Sequence, residues 1–213
     1  MEKEIASVKR LALDIFENLP DNDKSQFESN KLVLYSGSPK SKIMVVARDL
    51  GSEELKHSIP LIGPAGKLFR VVEESLLRQN FIHEPIYTTN TVPFKPRQNI
   101  AFTKSIRKKF RPVLLQQIFI VKPIVIISMG LEAFEFLTGV SSSIIKEVCS
   151  NNNHYSMADI NPRCIVIPCV HPSYMARKGV SVNSISVNEE HRKLFTNLFL
   201  KPIYRAVKIA YGE

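Results

Sequence analysis

Asp49, Asn90 and His171 are polar residues of three chemical types, and each stands at the end of an apolar segment of the sequence. A carboxylate can orient a water molecule or stabilise a developing cation. An amide can read the edge of a heterocyclic base, because its carbonyl accepts from an imide N–H while its NH₂ donates to a carbonyl. An imidazole can donate to an oxygen that gains negative charge as a bond breaks. Brought together, these side chains could bind a base and help to cleave a bond to it.

Short apolar segments rich in β-branched residues alternate with segments of helical periodicity. The former predict buried strands and the latter predict amphipathic helices. Strands are predicted at 42–47, 86–90, 124–128 and 164–170, with 32–36 a further candidate for a short strand. Helices are predicted at 3–18, 67–79, 102–121, 131–137 and 189–210, the last one kinked at Pro202.

This alternation predicts an α/β fold with three layers, α/β/α, around a central and mostly parallel four-stranded sheet. No repeat, low-complexity tract or linker interrupts the chain, so we expect a single domain over residues 1–213. The carboxyl ends of parallel strands share one edge, which is where open α/β sheets bind ligands. The sequence therefore predicts that Asp49, Asn90 and His171 meet at one edge of the sheet.

The chain is basic, with 29 Lys and Arg against 20 Asp and Glu and a net charge of +9. Such a balance favours a polyanionic partner, because each phosphate that is neutralised releases counterions. Much of the excess lies in the run Lys104–Arg111, which favours nucleic acid over a generally basic surface. We expect Lys108 and Lys109 to contact DNA.

The three cysteines, Cys149, Cys164 and Cys169, form no CxxC pair and have no histidine at metal-binding spacing, so we expect buried thiols and no metal. No apolar run reaches the roughly eighteen residues that a membrane span requires. The acidic start, Met1–Ile5, is not typical of a secretory signal. We therefore expect a cytoplasmic protein without a membrane partner, and we expect a monomer.

Six segments of the chain carry a resemblance that is much more specific than any single motif. They are Ile43–Gly51, Pro60–Gly66 with its Gly-Pro-Ala-Gly, Tyr87–Asn90, Pro96–Asn99, Lys122–Gly130, and His171–Tyr174 with the sequence His-Pro-Ser-Tyr. In this order and spacing the chain resembles the uracil-DNA glycosylase superfamily. It most resembles family four, the iron–sulfur branch found in bacteria and archaea.

The resemblance implies a DNA glycosylase of base excision repair that flips out uracil, or a related base, and hydrolyses its N-glycosidic bond. It implies Asp49 and His171 as catalytic residues. The residues expected to bind the base are Asn90, Gly51, Leu61 and Phe94. Those expected to contact DNA are Gly63, Gly66, Ser173, Tyr174 and Arg177, with Met175 a further candidate for a wedge.

The first loop departs from the family-four pattern. Family four reads Gly-Glu-Ala-Pro-Gly where this chain reads Ala47-Arg48-Asp49-Leu50-Gly51, so the catalytic glutamate falls on Arg48, which cannot act as a base. Asp49 falls where family-one enzymes carry their catalytic aspartate. The alternative for Asp49 is a turn or helix-capping acid.

Aromatic and cysteine positions of family four are also replaced. The aromatic residue that stacks on the flipped base falls on Leu61, and we expect Phe94 either to substitute for it or to lie in the core. Two cysteines of the iron–sulfur cluster fall on Phe94 and Phe110, and the N-terminal CxxC is missing. We therefore expect no iron–sulfur cluster and no other cofactor, with apolar packing in its place.

Two alternatives remain open at this stage. Arg48 and Leu61 also support a second hypothesis, a DNA-binding or scaffolding protein that kept the fold and lost or weakened catalysis. A changed first loop and a weaker stacking surface would also suit a glycosylase for another modified base.

Overall fold

Five-residue runs of buried apolar side chains form the centre of the sheet. The computed structural model describes residues 2–64, 66–141, 149, 155–157 and 164–212. Its strands are β1 (Tyr35–Ser36), β2 (Ile43–Ala47), β3 (Tyr87–Asn90), β4 (Val125–Met129), β5 (Tyr155–Ser156) and β6 (Ile165–Cys169). They form one sheet in the order β1-β3-β2-β4-β6-β5.

The helices are α1 (Glu2–Glu17), α2 (Asp21–Lys24), α3 (Ser52–His57), α4 (Gly66–Arg78), α5 (Lys104–Val121), α6 (Leu131–Thr138), α7 (Pro172–Arg177), α8 (Val182–Val187), α9 (Glu189–Phe195) and α10 (Lys201–Tyr211). A 3₁₀ turn covers Arg97–Asn99, and a π-helix over Thr196–Leu200 joins α9 to α10. None of the helices described is long and apolar enough to cross a membrane.

The four central strands β3, β2, β4 and β6 are parallel, as predicted, but the predicted total of four strands is wrong. The two-residue strands β1 and β5 pair antiparallel at the two edges and bring the sheet to six. Strands of two residues are too short to show an alternating pattern, and β5 lies in a stretch that carried no motif.

The helical predictions hold for the long amphipathic segments and fail at two points. The short helices α2, α3, α7 and α8 were not predicted, since at most six residues give too few turns for periodicity. The predicted helix 189–210 is interrupted by the π-helix Thr196–Leu200, which ends just before Pro202 in the first turn of α10. Proline has no amide N–H to donate, and the break falls next to it.

Alternating side chains of β2 divide the core into two layers. Ile43, Val45 and Ala47 pack with α4 and α10 on one face of the sheet. Met44 and Val46 pack with α5 and α6 on the other face. This alternation confirms the predicted three-layer α/β/α arrangement.

Phenylalanine rings hold α1 and the start of α5 against the loop that follows β3. Phe94 stacks on Phe16 with ring centroids 5.0 Å apart and lies edge-on to Phe110 at 5.6 Å. Phe27 and Phe102 complete the group, 4.6 Å apart. Phe94 and Phe110 are fully buried, and we refer to these five rings as the phenylalanine cluster. Its members include both residues that replace family-four cysteines.

The phenylalanine cluster should contribute strongly to stability. Phe110→Ala is expected to lower the free energy of unfolding by about 3–5 kcal/mol, because the cavity left behind cannot fully collapse. On the same helix, Phe119 is 74% exposed, and Phe119→Ala should cost less than about 1 kcal/mol. Urea denaturation of both variants measures the difference, and equal losses would contradict the assignment of Phe110 to the core.

Candidate functional site

A cavity of about 370 Å³ opens at the carboxyl ends of β2, β3 and β6. Asp49, Asn90 and His171 all line it, so the sheet brings together the three side chains predicted to meet. The other predicted residues at its wall are Gly51, Leu61, Gly63, Gly66 and Ser173. We call this space the base cavity.

A smaller cavity of about 230 Å³ adjoins the base cavity. The two share Arg48, Asp49, His171 and Ser173 as lining residues. Tyr174 and Arg177 line only the smaller one. The predicted DNA-contact loop therefore lies immediately beside the base cavity, with Arg177 Nη1 donating to Ser173 Oγ at 3.2 Å.

Asn90 is the last residue of β3 and pairs in register with Ala47 of β2. It is only 2% exposed. Its Oδ1 is buried and has no hydrogen-bond partner in the described part of the chain. An unsatisfied buried acceptor costs about 1–3 kcal/mol, so its presence at a cavity wall indicates a ligand that donates a hydrogen bond.

Asp49 follows β2, and its side chain is 6% exposed. Burial raises the pKa of Asp49 above its usual value, against the attraction of Arg48 and Arg107. Its Oδ2 lies 2.6 Å from Arg48 Nε and 3.8 Å from Arg107 Nη2. Neither carboxylate oxygen has a hydrogen bond of good geometry to the residues described. Both oxygens therefore keep acceptor capacity that the described residues do not use.

Arg48 contacts one side of the Asp49 carboxylate and leaves Asp49 as the acid of the site. Its Nε contacts Asp49, while its Nη1 donates to Glu132 Oε1 on α6 at 2.9 Å. The Arg48 carbonyl is fixed in turn by Thr91 Oγ1 at 2.6 Å. The arginine at the family-four glutamate position thus links the first loop to α6 and anchors Asp49.

His171 caps the N-terminus of α7. Its Nδ1 accepts from the Ser173 N–H at 3.1 Å and lies 2.8 Å from Ser173 Oγ. In the neutral ring, an accepting Nδ1 leaves the proton on Nε2. Burial, reinforced by the charge of Arg48, lowers the pKa of His171 to about 4. The imidazole is therefore a neutral donor through Nε2 near pH 7.

Leu61 lies at the cavity wall in a left-handed backbone conformation, with φ of 55°. Arg70 of α4 holds this turn by donating to the Pro60 carbonyl at 2.8 Å and to the Leu61 carbonyl at 3.3 Å. A Cβ on Gly66 would lie 2.1 Å from the Leu61 carbonyl oxygen. Glycine at 66 is therefore needed for the turn itself, which explains the Gly-Pro-Ala-Gly motif locally.

Glu54, which sequence reasoning missed, ties two loops of the base cavity together. Its Oε2 accepts from the Gly51 N–H at 3.1 Å, and its Oε1 accepts from the N–H groups of Ile62 and Gly63 at 3.2 and 2.8 Å. The amides of Gly51 and Gly63, which the sequence assigned to base and DNA contacts, are thus engaged by a carboxylate. A glutamate at the third position of α3, after a capping residue, is the signal that could have identified it.

Phe94 and Met175 lie elsewhere than the sequence predicted, whereas Lys108 and Lys109 differ in their surroundings. Phe94 is in the phenylalanine cluster and does not line the base cavity, so the expected stacking on a base is not met. Met175 is fully buried and cannot act as a wedge. Lys109 pairs with Asp23 at 2.5 Å, whereas Lys108 lines a different cavity beside α5. The type and sequence position of a residue do not reveal whether its side chain points into the core or towards a cavity.

The side chains present do not suit an iron–sulfur cluster. The sequence has three cysteines, whereas such clusters are usually held by four. Burial raises the pKa of Cys149 and Cys164 to about 12, which disfavours the thiolate that a metal needs. Among the residues described, no group of three or more His, Cys, Asp or Glu is placed to hold a metal ion.

Comparison with known proteins identifies relatives of this chain. The sequence profile of the uracil DNA glycosylase superfamily matches residues 34–196. A type-4 uracil-DNA glycosylase of Thermotoga maritima is 31% identical over 147 residues, which cover 68% of this chain and 72% of the relative. The type-4 enzyme of Sulfurisphaera tokodaii is 28% identical over 180 residues, covering 83% and 78%. That of Saccharolobus solfataricus is 25% identical over 169 residues, covering 78% and 76%.

The raised pKa of Asp49 has a consequence for stability. A carboxyl that holds its proton more tightly when folded destabilises the native state once it ionises. This penalty is missing below the unfolded pKa of about 3.9 and complete above the folded pKa. Asp49→Asn should therefore be more stable than wild type at pH 7, and the gain should shrink towards pH 4. Urea denaturation at both pH values tests this, and an Asn variant less stable at pH 7 would contradict it.

Proposed function

The chain belongs to the uracil DNA glycosylase superfamily, and we propose that it is a monofunctional glycosylase that hydrolyses the N-glycosidic bond of uracil, or a closely related base, in DNA. One observation carries the proposal. A buried carboxylate, an unsatisfied amide oxygen and a neutral imidazole converge on a single cavity at the edge of the sheet. These are the groups that base recognition and departure of the base require.

Asn90 reads the base in this proposal. A glycosylase must take the target nucleotide out of the stack, at a cost of a few kcal/mol, and hold it in a pocket. The free Oδ1 of Asn90 would accept from the imide N–H of uracil, while its NH₂ would donate to a ring carbonyl. Leu61 would pack against the ring, with less stacking energy than an aromatic side chain supplies.

His171 assists departure of the base. As the glycosidic bond breaks, its electron pair moves onto the base, and negative charge builds on a ring oxygen. The Nε2–H of a neutral His171, oriented by the Ser173 amide, would donate to that oxygen. A neutral donor suits this role because it does not have to give up its own proton to a weakly basic oxygen.

Asp49 acts on the sugar side. Its two oxygens would accept from the attacking water and stabilise the oxocarbenium-like sugar, as carboxylates do in glycoside hydrolysis. Arg48 and Arg107 counteract the effect of burial on the pKa of Asp49 and favour the ionised form. Arg48 is thus a positioning residue for the carboxylate.

The surroundings of the base cavity support a protein that acts on DNA and binds no iron–sulfur cluster. Ser173, Tyr174 and Arg177, beside the base cavity, would contact the DNA backbone. The phenylalanine cluster occupies positions that carry cysteines in family four, so we propose that no iron–sulfur cluster is bound. The unpaired cysteines agree with a protein of the reducing cytoplasm, and we propose that it is a monomer.

A second candidate is a DNA-binding protein of the same fold with weak or no catalysis. The observation that favours it is the 2.6 Å contact of Arg48 with Asp49, which occupies one side of the carboxylate. A glycosylase for another modified base is the further alternative, because Leu61 shapes the pocket differently from an aromatic residue.

Oligonucleotides that carry uracil, single-stranded or opposite G or A, test these candidates. The wild-type protein should create alkali-labile abasic sites. Asp49→Asn should lower the single-turnover rate by about 10²–10⁴-fold, because a neutral amide can neither take a proton from the water nor stabilise a developing cation by charge. His171→Ala should lower it by about 10²–10³-fold because the leaving oxygen loses its donor.

DNA affinity, measured in parallel, is the control, since neither change should weaken binding of undamaged DNA. No cleavage by wild type, with DNA binding intact, would favour the scaffold or another base, and a panel of modified bases separates those two. Equal rates for wild type and Asp49→Asn would remove the carboxylate from the mechanism.

The protonation state of His171 can be checked directly. With a pKa of about 4, its ring signals should not shift between pH 5.5 and 7.5 in NMR spectra. Comparison with His171→Gln identifies the signals. A midpoint near 6.5, the ordinary histidine value, would show that the imidazole is charged when the base departs under mildly acidic conditions.

A further inference from the structure

A second cavity of about 370 Å³ lies between α5 and α6, outside the base cavity. Lys104, Arg107, Lys108 and Arg111 line it from α5. These residues are spaced at i, i+3, i+4 and i+7, so they form one stripe on a single face of the helix. We call them the basic stripe.

The basic residues of the run Lys104–Arg111 lie on two different sides of α5. Lys109, between two members of the stripe in sequence, points away from the cavity and pairs with Asp23 beside α1. Lys108 faces the cavity and has no ion-pair partner in the part of the chain that the structure describes. Neighbouring lysines of similar sequence context therefore have different surroundings.

Arg107 is the strongest sign that this cavity is built for an anion. Its side chain is only 8% exposed. Its Nε and Nη2 have no hydrogen-bond partner among the described residues, and its nearest carboxylate oxygen, in Asp49, is 3.8 Å away. A buried guanidinium whose N–H groups have no acceptor lowers the stability of the protein unless a ligand accepts hydrogen bonds from it.

The acidic side chains at the same cavity do not neutralise the stripe. Glu132 is engaged by Arg48 at 2.9 Å, and Glu135 lies 3.9 Å from Lys104. Among the described residues that line the cavity, four cationic side chains therefore accompany two carboxylates, and one of the four, Arg111, also donates to the Phe136 carbonyl. The stripe also begins at the N-terminus of an eighteen-residue helix, whose dipole favours negative charge.

The position of the cavity indicates which anion it receives. Glu132 lines both this cavity and the smaller one that contains His171 and Arg177. The basic stripe is thus continuous with the surface on which a strand would lie while one of its bases enters the base cavity. We infer that the stripe binds a backbone phosphate of that DNA strand, an inference that rests on the proposed function for the presence of DNA.

The salt dependence of DNA binding tests this site. The apparent binding constant of the full-length protein for a uracil-free duplex is measured over a series of salt concentrations. Each phosphate contact contributes about 0.9 to the slope of log K against log salt. Lys108→Ala and Lys104→Ala should each weaken binding severalfold and reduce the slope by up to that amount.

Two variants that remove the same charge serve as matched controls. Lys201→Ala and Lys208→Ala each change an exposed lysine on α10, which packs on the other face of the sheet. Both should keep the wild-type slope. Equal slopes for all five proteins, or a reduction as large in the controls as in the stripe, would overturn the phosphate site.

Uracil release by wild type separates this inference from the proposed function. A slope that depends on Lys108, in a protein that releases no uracil, supports the phosphate site and contradicts the glycosylase. Uracil release with the same slope in every variant supports the glycosylase and overturns the phosphate site.

Discussion

The parallel register of four strands is the constraint on which the site depends. Ala47 pairs with Asn90 on one side and with Met129 on the other, and Met129 pairs with Cys169. The strands therefore end level with one another, and the residues that follow them reach the same cavity. A slip of one residue would send every side chain of a strand to the opposite face, so the alternating core packing and the positions of the residues that line the base cavity are fixed together.

Arg48 shows how the loop after β2 can differ in chemistry from the family-four pattern while the sheet that carries it stays the same. The carboxylate lies one residue later than in family four, and the arginine that takes the glutamate position ties it to α6 through Glu132. Arg107 approaches the same carboxylate from α5. The first loop, α6 and α5 thus all contribute charged groups around Asp49. Basic residues of α5 lie both near this carboxylate and along the adjoining cavity.

Much of this arrangement could be predicted from local patterns. The strands β2, β4 and β6 are mostly apolar runs, and the polar residues at the strand ends were identified from position alone. The contacts of Glu54 with Ile62 and Gly63, and the contact between Asp49 and Arg107, could not be found this way, because they join segments that only tertiary packing brings together. Phe94 was placed at the base because a ring after a strand gives the same sequence signal whether it faces the pocket or the core.

The phenylalanine cluster has a consequence for the temperature response of the molecule. Contacts between apolar rings weaken on cooling, because the hydrophobic driving force fades as the temperature falls. Covalent bonds between a metal and thiolates have no such dependence. The corner where α1 packs on Phe94 and Phe110 therefore depends on a driving force that weakens as the temperature falls.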